Sequence, residues 1–341
     1  MTRLFRSKAR NFDQFISNFL IREKSMHQIR RLTVQLLFAF SIAAVTASAQ
    51  PYAYVTSGAG QSVTVINRAT NTPSGLITVS GAPAGAALTP DGAYLYVTCA
   101  SSNKVAVIST TTRTIVVEIA VGVKPMHVAI SPNGAFAYVA NQGSNSVSVI
   151  STSTRTVLAT VPVGSYPAGL AFTPDGNHVL VTNRLSSNVS VISTATHTVT
   201  ATWHALSGPG AVAVSADGTI AYVANQASNA VTVHSVSTGA ILETISGFIS
   251  PGSVAIAPNG ARVYVTNANG GSVSVVNPVS KSIVATVMTG VIPTSVAISA
   301  DSSTVYVTNA LGYSVSVIHA ATNIATTTIT RQIVPMTVVL H

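Results

Sequence analysis

Apolar and polar residues alternate along most of this 341-residue chain, as in Ser146-Val-Ser-Val-Ile150. A period of two sends successive side chains to opposite faces of a strand, whereas a helix would repeat its apolar positions every three to four residues. Over residues 135–176 the pattern predicts four short strands: Phe136–Ala140, Val147–Ile150, Thr156–Val163 and Ala168–Thr173. They are separated by the polar loop Asn141–Asn145, the hydroxyl-rich turn Ser151–Arg155 and the connection Gly164–Pro167. Pro174-Asp-Gly176 then supplies the Asp and Gly that a tight hairpin turn requires.

The same block returns every 42 residues from Pro51 to the end, with no insertion or deletion. Tyr54, Tyr96, Tyr138, Leu180, Tyr222, Tyr264 and Tyr306 mark one register, and the prolines from Pro83 to Pro335 mark a second. A unit of about 40 residues built only of strands is a propeller blade. The predicted fold is therefore all-β: a seven-bladed β-propeller of four-stranded antiparallel blades, with residues 50–341 as one domain. The repeat frame opens at the second strand of a blade, so the closing segment Met336–Leu340 is expected to join the sheet begun by Tyr52–Val55. Such closure removes two sheet edges. Ala87, Ala129, Ala171, Ala213, Ala255 and Ala297 share one inner-strand position, where the space between neighbouring blades is least.

The recurring Tyr-Val-Thr-Asn at 264–267 and 306–309, with Val-Ser-Val-Ile and Pro-Asp-Gly, resembles the YVTN family of seven-bladed β-propeller repeat proteins. The resemblance covers essentially all of residues 51–341. It implies a secreted, periplasmic or surface protein that acts as a binding or structural scaffold, and it carries over no catalytic residue.

Hydrophobic residues make up 47% of the chain and charged residues only 7%, yet the alternation assigns the apolar ones to strand faces rather than to membrane spans. The formal charge of +9 is concentrated at the start: residues 1–49 hold eight Lys or Arg and two acids. What remains, nine bases against six acids, is too sparse for a phosphate-binding stripe, so no nucleic-acid partner is expected. Residues 1–49 read as an N-terminal extension followed by a secretory signal. Arg30 and Arg31 form the basic part, Leu36–Val45 the apolar part, and Ala47-Ser-Ala49 a cleavage site before Gln50, with Met26 as an alternative start. A mature chain without a transmembrane span, monomeric and outside the cytoplasm, follows as the expectation. Cys99 is the sole cysteine, so no intramolecular disulfide can form.

Candidate chemistry is thin. Asp91, Asp175, Asp217 and Asp301 occupy the turn after the inner strand, where Asp caps backbone amides. Glu118 and Glu243 fall on outer strands of different units. No Cys-x-x-Cys-His is present for covalent haem, and no metal, cofactor or catalytic set is expected. Two residues after each proline lie Gly85, His127, Gly169, Ala211, Ser253, Ser295 and Thr337, taken as the channel-mouth positions; among them only His127 can move a proton or bind a metal. Lys104, Lys124, His127, Tyr166 and Arg184 are assigned to consecutive blades on one face, a mildly basic and aromatic sector for a protein or glycan ligand. The Asn series 141, 183, 225, 267 and 309 is read as turn-capping. The opposite turn position (Asn71, Arg113, Arg155, His197, Gly239, Lys281 and Asn323) is read as a backbone of positive φ with side chains free in water. The main expectation is a non-catalytic scaffold. The alternatives are a lactonase- or lyase-type enzyme centred on His127, and a surface-layer component.

Overall fold

The computed structural model describes residues 52–330 and 334–341. The signal segment and the cleavage site therefore lie outside the described residues. Every described strand belongs to one of seven four-stranded antiparallel sheets. The only helical element among the described residues is a single 3-10 turn, Ala268–Gly270, and no helix there is long and apolar enough to cross a membrane.

The blade read from sequence is present with small boundary shifts: Pro125–Ile130 innermost, then Phe136–Asn141, Ser146–Ser151 and Thr156–Pro162 outermost. Each innermost strand packs against the next in cyclic order, Pro335–Leu340 against Pro83–Leu88 included, so the seven strands surround one axis. Closure occurs as expected. Pro335–Leu340 pairs antiparallel with Tyr52–Ser57, and the His341 amide donates to the Tyr52 carbonyl at 3.0 Å.

The core lies between blades, in seven apolar clusters. One example gathers Tyr96, Val105 and Ile119 of one blade with Val128, Ala137 and Ile150 of the next, and Ala87 packs against it. The alanine series thus marks close blade contact, with Val339 filling the same position at the closing blade. Each outermost strand carries a bulge; in Thr156–Pro162 it leaves Leu158 unpaired. Bulges blunt an edge that would otherwise template pairing with another chain.

Two ring-shaped hydrogen-bond systems link neighbouring blades, and the sequence pattern shows neither. In the first, the Thr of the Tyr-Val-Thr run reaches the adjacent innermost strand. Thr56 Oγ1 donates to the Ala84 carbonyl at 2.6 Å, Thr308 Oγ1 to that of Met336 at 3.1 Å, and Thr182 to that of Gly210. The same hydroxyls accept from their own inner strands, as Thr182 does from the Gly169 amide at 2.8 Å.

The second system corrects the reading of the turn ring. Its residues do have positive φ, from 51° at Lys281 to 73° at Gly239, but the side chains of Asn71, Arg113, Arg155 and His197 are not free in water. These four reach the blade before. The Tyr306 hydroxyl donates to Asn71 Oδ1 at 2.9 Å, and the Tyr138 hydroxyl lies 2.7 Å from His197 Nδ1. Arg113 and Arg155 lie 4.7 Å from the ring centroids of Tyr52 and Tyr94, an attraction of order ~0.5–1 kcal/mol at exposed sites. Where Leu180 replaces the tyrosine and offers no hydroxyl, the partner position is Gly239. A Cβ on Gly239 would come within 2.1 Å of the Trp203 ring.

The Asn series also differs from expectation. These residues are buried and bridge to the following strand rather than cap their own loop. Asn141 Nδ2 donates to Ser148 Oγ at 2.9 Å, Asn183 to Ser190 at 2.9 Å and Asn309 to Ser316 at 3.0 Å. The aspartates behave as read. Asp175 Oδ1 accepts from Thr173 and from the Asn177 amide, and these bonds hold its carboxyl below the usual carboxylate range.

Candidate functional site: the axial channel and its upper rim

The axis is lined by the innermost strands, whose residues beyond the proline are small or polar on most blades. Gly85 is packed so closely that a Cβ there would lie 2.8 Å from His127 Cα, and one on Gly169 would lie 2.9 Å from Ala211 Cα. The position two after the proline therefore leans toward the next blade's inner strand rather than straight into the channel. Ser253 Oγ and Ser295 Oγ confirm this direction, each accepting from the next inner strand, from the Val296 and Val338 amides at 3.4 Å.

His127 occupies this position beside Gly169, which leaves room for an imidazole. The residue is half-buried, and its Nδ1 is buried without a hydrogen-bond partner. Its cross-strand neighbour is Ala140, where five other blades carry the hydroxyl of Thr56, Thr98, Thr182, Thr266 or Thr308, so no such hydroxyl meets the ring. Loss of water around the ring pushes its pKa down to about 4, with no charged group contributing. The imidazole is neutral at pH 7. Among the described residues no three His, Cys, Asp or Glu side chains converge on one point.

The other predicted site residues separate into pairs. Lys104 does not project from the face as a free cation: its Nζ lies 2.8 Å from Glu118 Oε2 on the neighbouring strand, and Ser80 donates to the other carboxylate oxygen at 2.7 Å. Lys124 and Tyr166 do come together, with the ammonium 5.4 Å from the ring centroid. Arg184 donates to Gln226 of the next blade. Cys99 is fully buried and its thiol is pushed up to about 11 by desolvation, which makes it unreactive.

Sequence reasoning named Lys124 and Tyr166 but missed that they belong to a series, the residue immediately before each inner-strand proline. Ala82, Lys124, Tyr166, Gly208, Ser250, Ile292 and Val334 all have positive φ and stand around the channel mouth. Asn side chains of the preceding loop hold several of them: Asn103 accepts from the Lys124 amide, Asn145 from Tyr166 and Asn229 from Ser250 at 2.7–2.9 Å. The fixed step to the proline was the available signal. Lys124 and Tyr166 lie on one side of this rim, Ile292 and Val334 on the other.

Fold and channel together define a seven-bladed propeller whose inner strands surround one axis. The chain belongs to the lactonase family of seven-bladed β-propellers, whose model matches residues 86–200 and 193–283. This corrects the expectation of a non-catalytic scaffold, since the matching family is one of enzymes and favours the lactonase alternative. No curated protein matches the chain in sequence. Among solved structures, hydrazine synthase of Kuenenia stuttgartiensis is similar at 26% identity and a TM-score of 0.71, over 77% of this chain and 91% of that one. A candidate 6-phosphogluconolactonase from Bacteroides uniformis has 17% identity and a TM-score of 0.73, over 86% of this chain and 100% of that one. A second, from Bacteroides fragilis, has 15% identity and a TM-score of 0.73, over 87% and 99%. At that identity the two Bacteroides proteins share the fold with this chain.

Proposed function

We propose that this protein hydrolyses a lactone at the mouth of its axial channel, with His127 as the general base. Family membership supports the reaction class, and the names of the two Bacteroides neighbours agree with it. The observation that carries the assignment to this end of the molecule is the partnerless, desolvated imidazole of His127. A structural histidine is normally satisfied, as His234 is by Thr232 at 2.8 Å and the Gly239 carbonyl at 3.1 Å. A buried polar atom left without a partner costs about 1–3 kcal/mol.

With its hydrogen on Nδ1, the neutral ring presents a lone pair on Nε2. A water attacks the lactone carbonyl carbon and gives its proton to Nε2 as the new C–O bond forms. The tetrahedral intermediate then collapses by breaking the ring C–O bond, and the leaving alkoxide takes the proton back from the imidazolium. The product is the open hydroxy acid, and no electrons leave the system. A positioned base contributes roughly 10²–10⁴-fold to rate when its pKa lies near the operating pH, and desolvation to about 4 sets this imidazole at the lower end of that range. The test is lactone hydrolysis followed in a pH-stat, comparing wild type with His127→Gln; turnover unchanged in the variant would remove His127 from the mechanism. Secretion through the segment before Gln50 and the YVTN-type repeat are part of the same reading, and N-terminal sequencing of the exported protein tests the first.

A further inference from the structure

At the end of the inner strands away from the channel mouth, just beyond Pro251–Ile256 and Pro293–Ile298, two neighbouring blades enclose a recess of about 270 Å³. Its walls include Asn259, Arg262, Tyr264, Ser302, His319 and Asn323. Ser302 Oγ accepts from the Asn259 amide at 3.1 Å and so ties the two walls together. A recess of about 300 Å³ occurs at the matching junction four blades earlier, lined by Asp91, Tyr94 and Tyr96 among others. The shape recurs, so only side-chain chemistry can set one junction apart.

Three departures from the repeat meet at this one. Asn259 stands where four other blades carry Asp91, Asp175, Asp217 or Asp301, so its wall lacks a negative charge. Arg262 is the one Lys or Arg in a series that otherwise reads Tyr52, Tyr94, Phe136, His178, Ile220 and Thr304. His319 replaces the Ser or Asn that every other blade has at its position. All three changes favour an anion.

The groups they introduce are also left open. At the earlier junction Arg155 lies 4.7 Å from the Tyr94 ring centroid, so that cation already has a partner. Arg262 makes a single hydrogen bond, from Nη1 to the Ala261 carbonyl at 2.7 Å, and meets no acid: the only ion pair among the described residues joins Lys104 to Glu118. Burial raises the pKa of the Tyr264 hydroxyl, and the Arg262 charge, which opposes that rise, is close enough to be felt there. Tyr306 donates to Asn71, yet Asn323, the same residue at the same step, makes no bond to Tyr264, and its Oδ1 is buried without a partner. His319 Nδ1 lies 3.2 Å from Thr322 Oγ1, and Nε2 has no partner among the described residues. The acid adjoining Ser302 in the chain, Asp301, is occupied by the Ser299 and Ser303 hydroxyls and by the Ser303 amide.

We propose that this recess binds a small oxyanion, a carboxylate or phosphate group, held by the Arg262 guanidinium with the Tyr264 hydroxyl and the His319 ring as further donors. A guanidinium matches two oxygens of either group with parallel N–H bonds. The volume is below that of pockets that enclose drug-sized molecules, which suits a small anion or the charged end of a larger one. The site lies at the other end of the inner strands from the channel mouth and does not rest on the lactonase reading.

The test is calorimetric titration of the intact chain with inorganic phosphate and, separately, with acetate and citrate, at constant ionic strength made up with chloride. Saturable one-to-one binding of at least one probe is expected. Phosphate alone assigns a phosphate ligand, the carboxylates alone a carboxylate, and both a general oxyanion site. Arg262→Thr, which installs the residue of the next blade, should weaken binding about tenfold or more, whereas Arg155→Gln should leave it unchanged. His319→Ser restores the repeat and should weaken it about threefold; this variant carries the test if Arg262→Thr does not fold. Absence of saturable binding overturns the proposal. Binding that survives both substitutions, or that Arg155→Gln weakens equally, places the anion elsewhere on the surface and rejects the site.

Discussion

Replacing His127 with glutamine should change how stability depends on pH more than it changes stability itself. The folded protein keeps the imidazole uncharged down to about pH 4, because burial opposes protonation. In the unfolded chain the same ring takes its proton near pH 6.5. At pH 7 both states are neutral and the group contributes nothing to the pH slope. As pH falls through 6.5 the unfolded state binds a proton that the folded state refuses, so stability is lost until the folded ring also protonates near pH 4. A difference from 6.5 to about 4, at about 1.4 kcal/mol per pH unit, gives about 3 kcal/mol, an upper bound because the residue is half-buried. The four turn aspartates lose their own capping contributions at still lower pH, equally in both proteins. Urea unfolding of wild type and His127→Gln at pH 7, 6, 5 and 4 isolates the histidine as the change in their difference. The wild type should lose up to about 3 kcal/mol more than the variant between pH 7 and 4. Parallel curves would mean that the ring is solvated or hydrogen-bonded, and the argument for a desolvated base would fail with them.

Deleting residues 335–341 removes the innermost strand of the blade that closes the ring; the truncated chain should unfold or associate, and size exclusion with thermal melting detects either. Tyr138→Phe breaks the link to His197 and should cost about 1 kcal/mol in urea unfolding. Gly239→Ala should cost more, because it adds a Cβ within 2.1 Å of Trp203 at a φ of 73°; an equal or smaller loss would contradict the pairing of that position with the neighbouring blade. The pH profile of kcat/KM should be level from pH 6 to 8 and fall below about pH 5 as the imidazole protonates.

The repeat carried most of the fold because its register is geometric. A 42-residue step with a fixed proline determines four strands per blade, seven blades and the closing strand, and all three appear. Roles that depend on the neighbouring blade were not legible. Thr182 and Thr308 are ordinary strand residues in the sequence, and only the curvature of the ring brings them to the carbonyls of Gly210 and Met336. Asn71 and His197 read as solvated turn residues because their partners, Tyr306 and Tyr138, lie more than one unit away along the chain. Lys104 read as a free cation because cross-strand pairing with Glu118 depends on register rather than spacing. His127 could be singled out by sequence as a departure from the repeat, but its desolvation follows from the close approach of the neighbouring inner strand at Gly85, which no spacing along the chain reveals. The functional expectation failed for a related reason: uniform units describe a scaffold, and a lone histidine among them carries little weight until its surroundings are known.

The central claim is tested most directly by the rate of ring opening across a panel of lactones, measured for wild type and for a folded His127→Gln protein at pH 7. The account predicts measurable turnover by wild type and a loss of roughly 10²-fold or more in kcat/KM in the variant. Equal rates in the two proteins, or no turnover of any lactone by wild type, would contradict it.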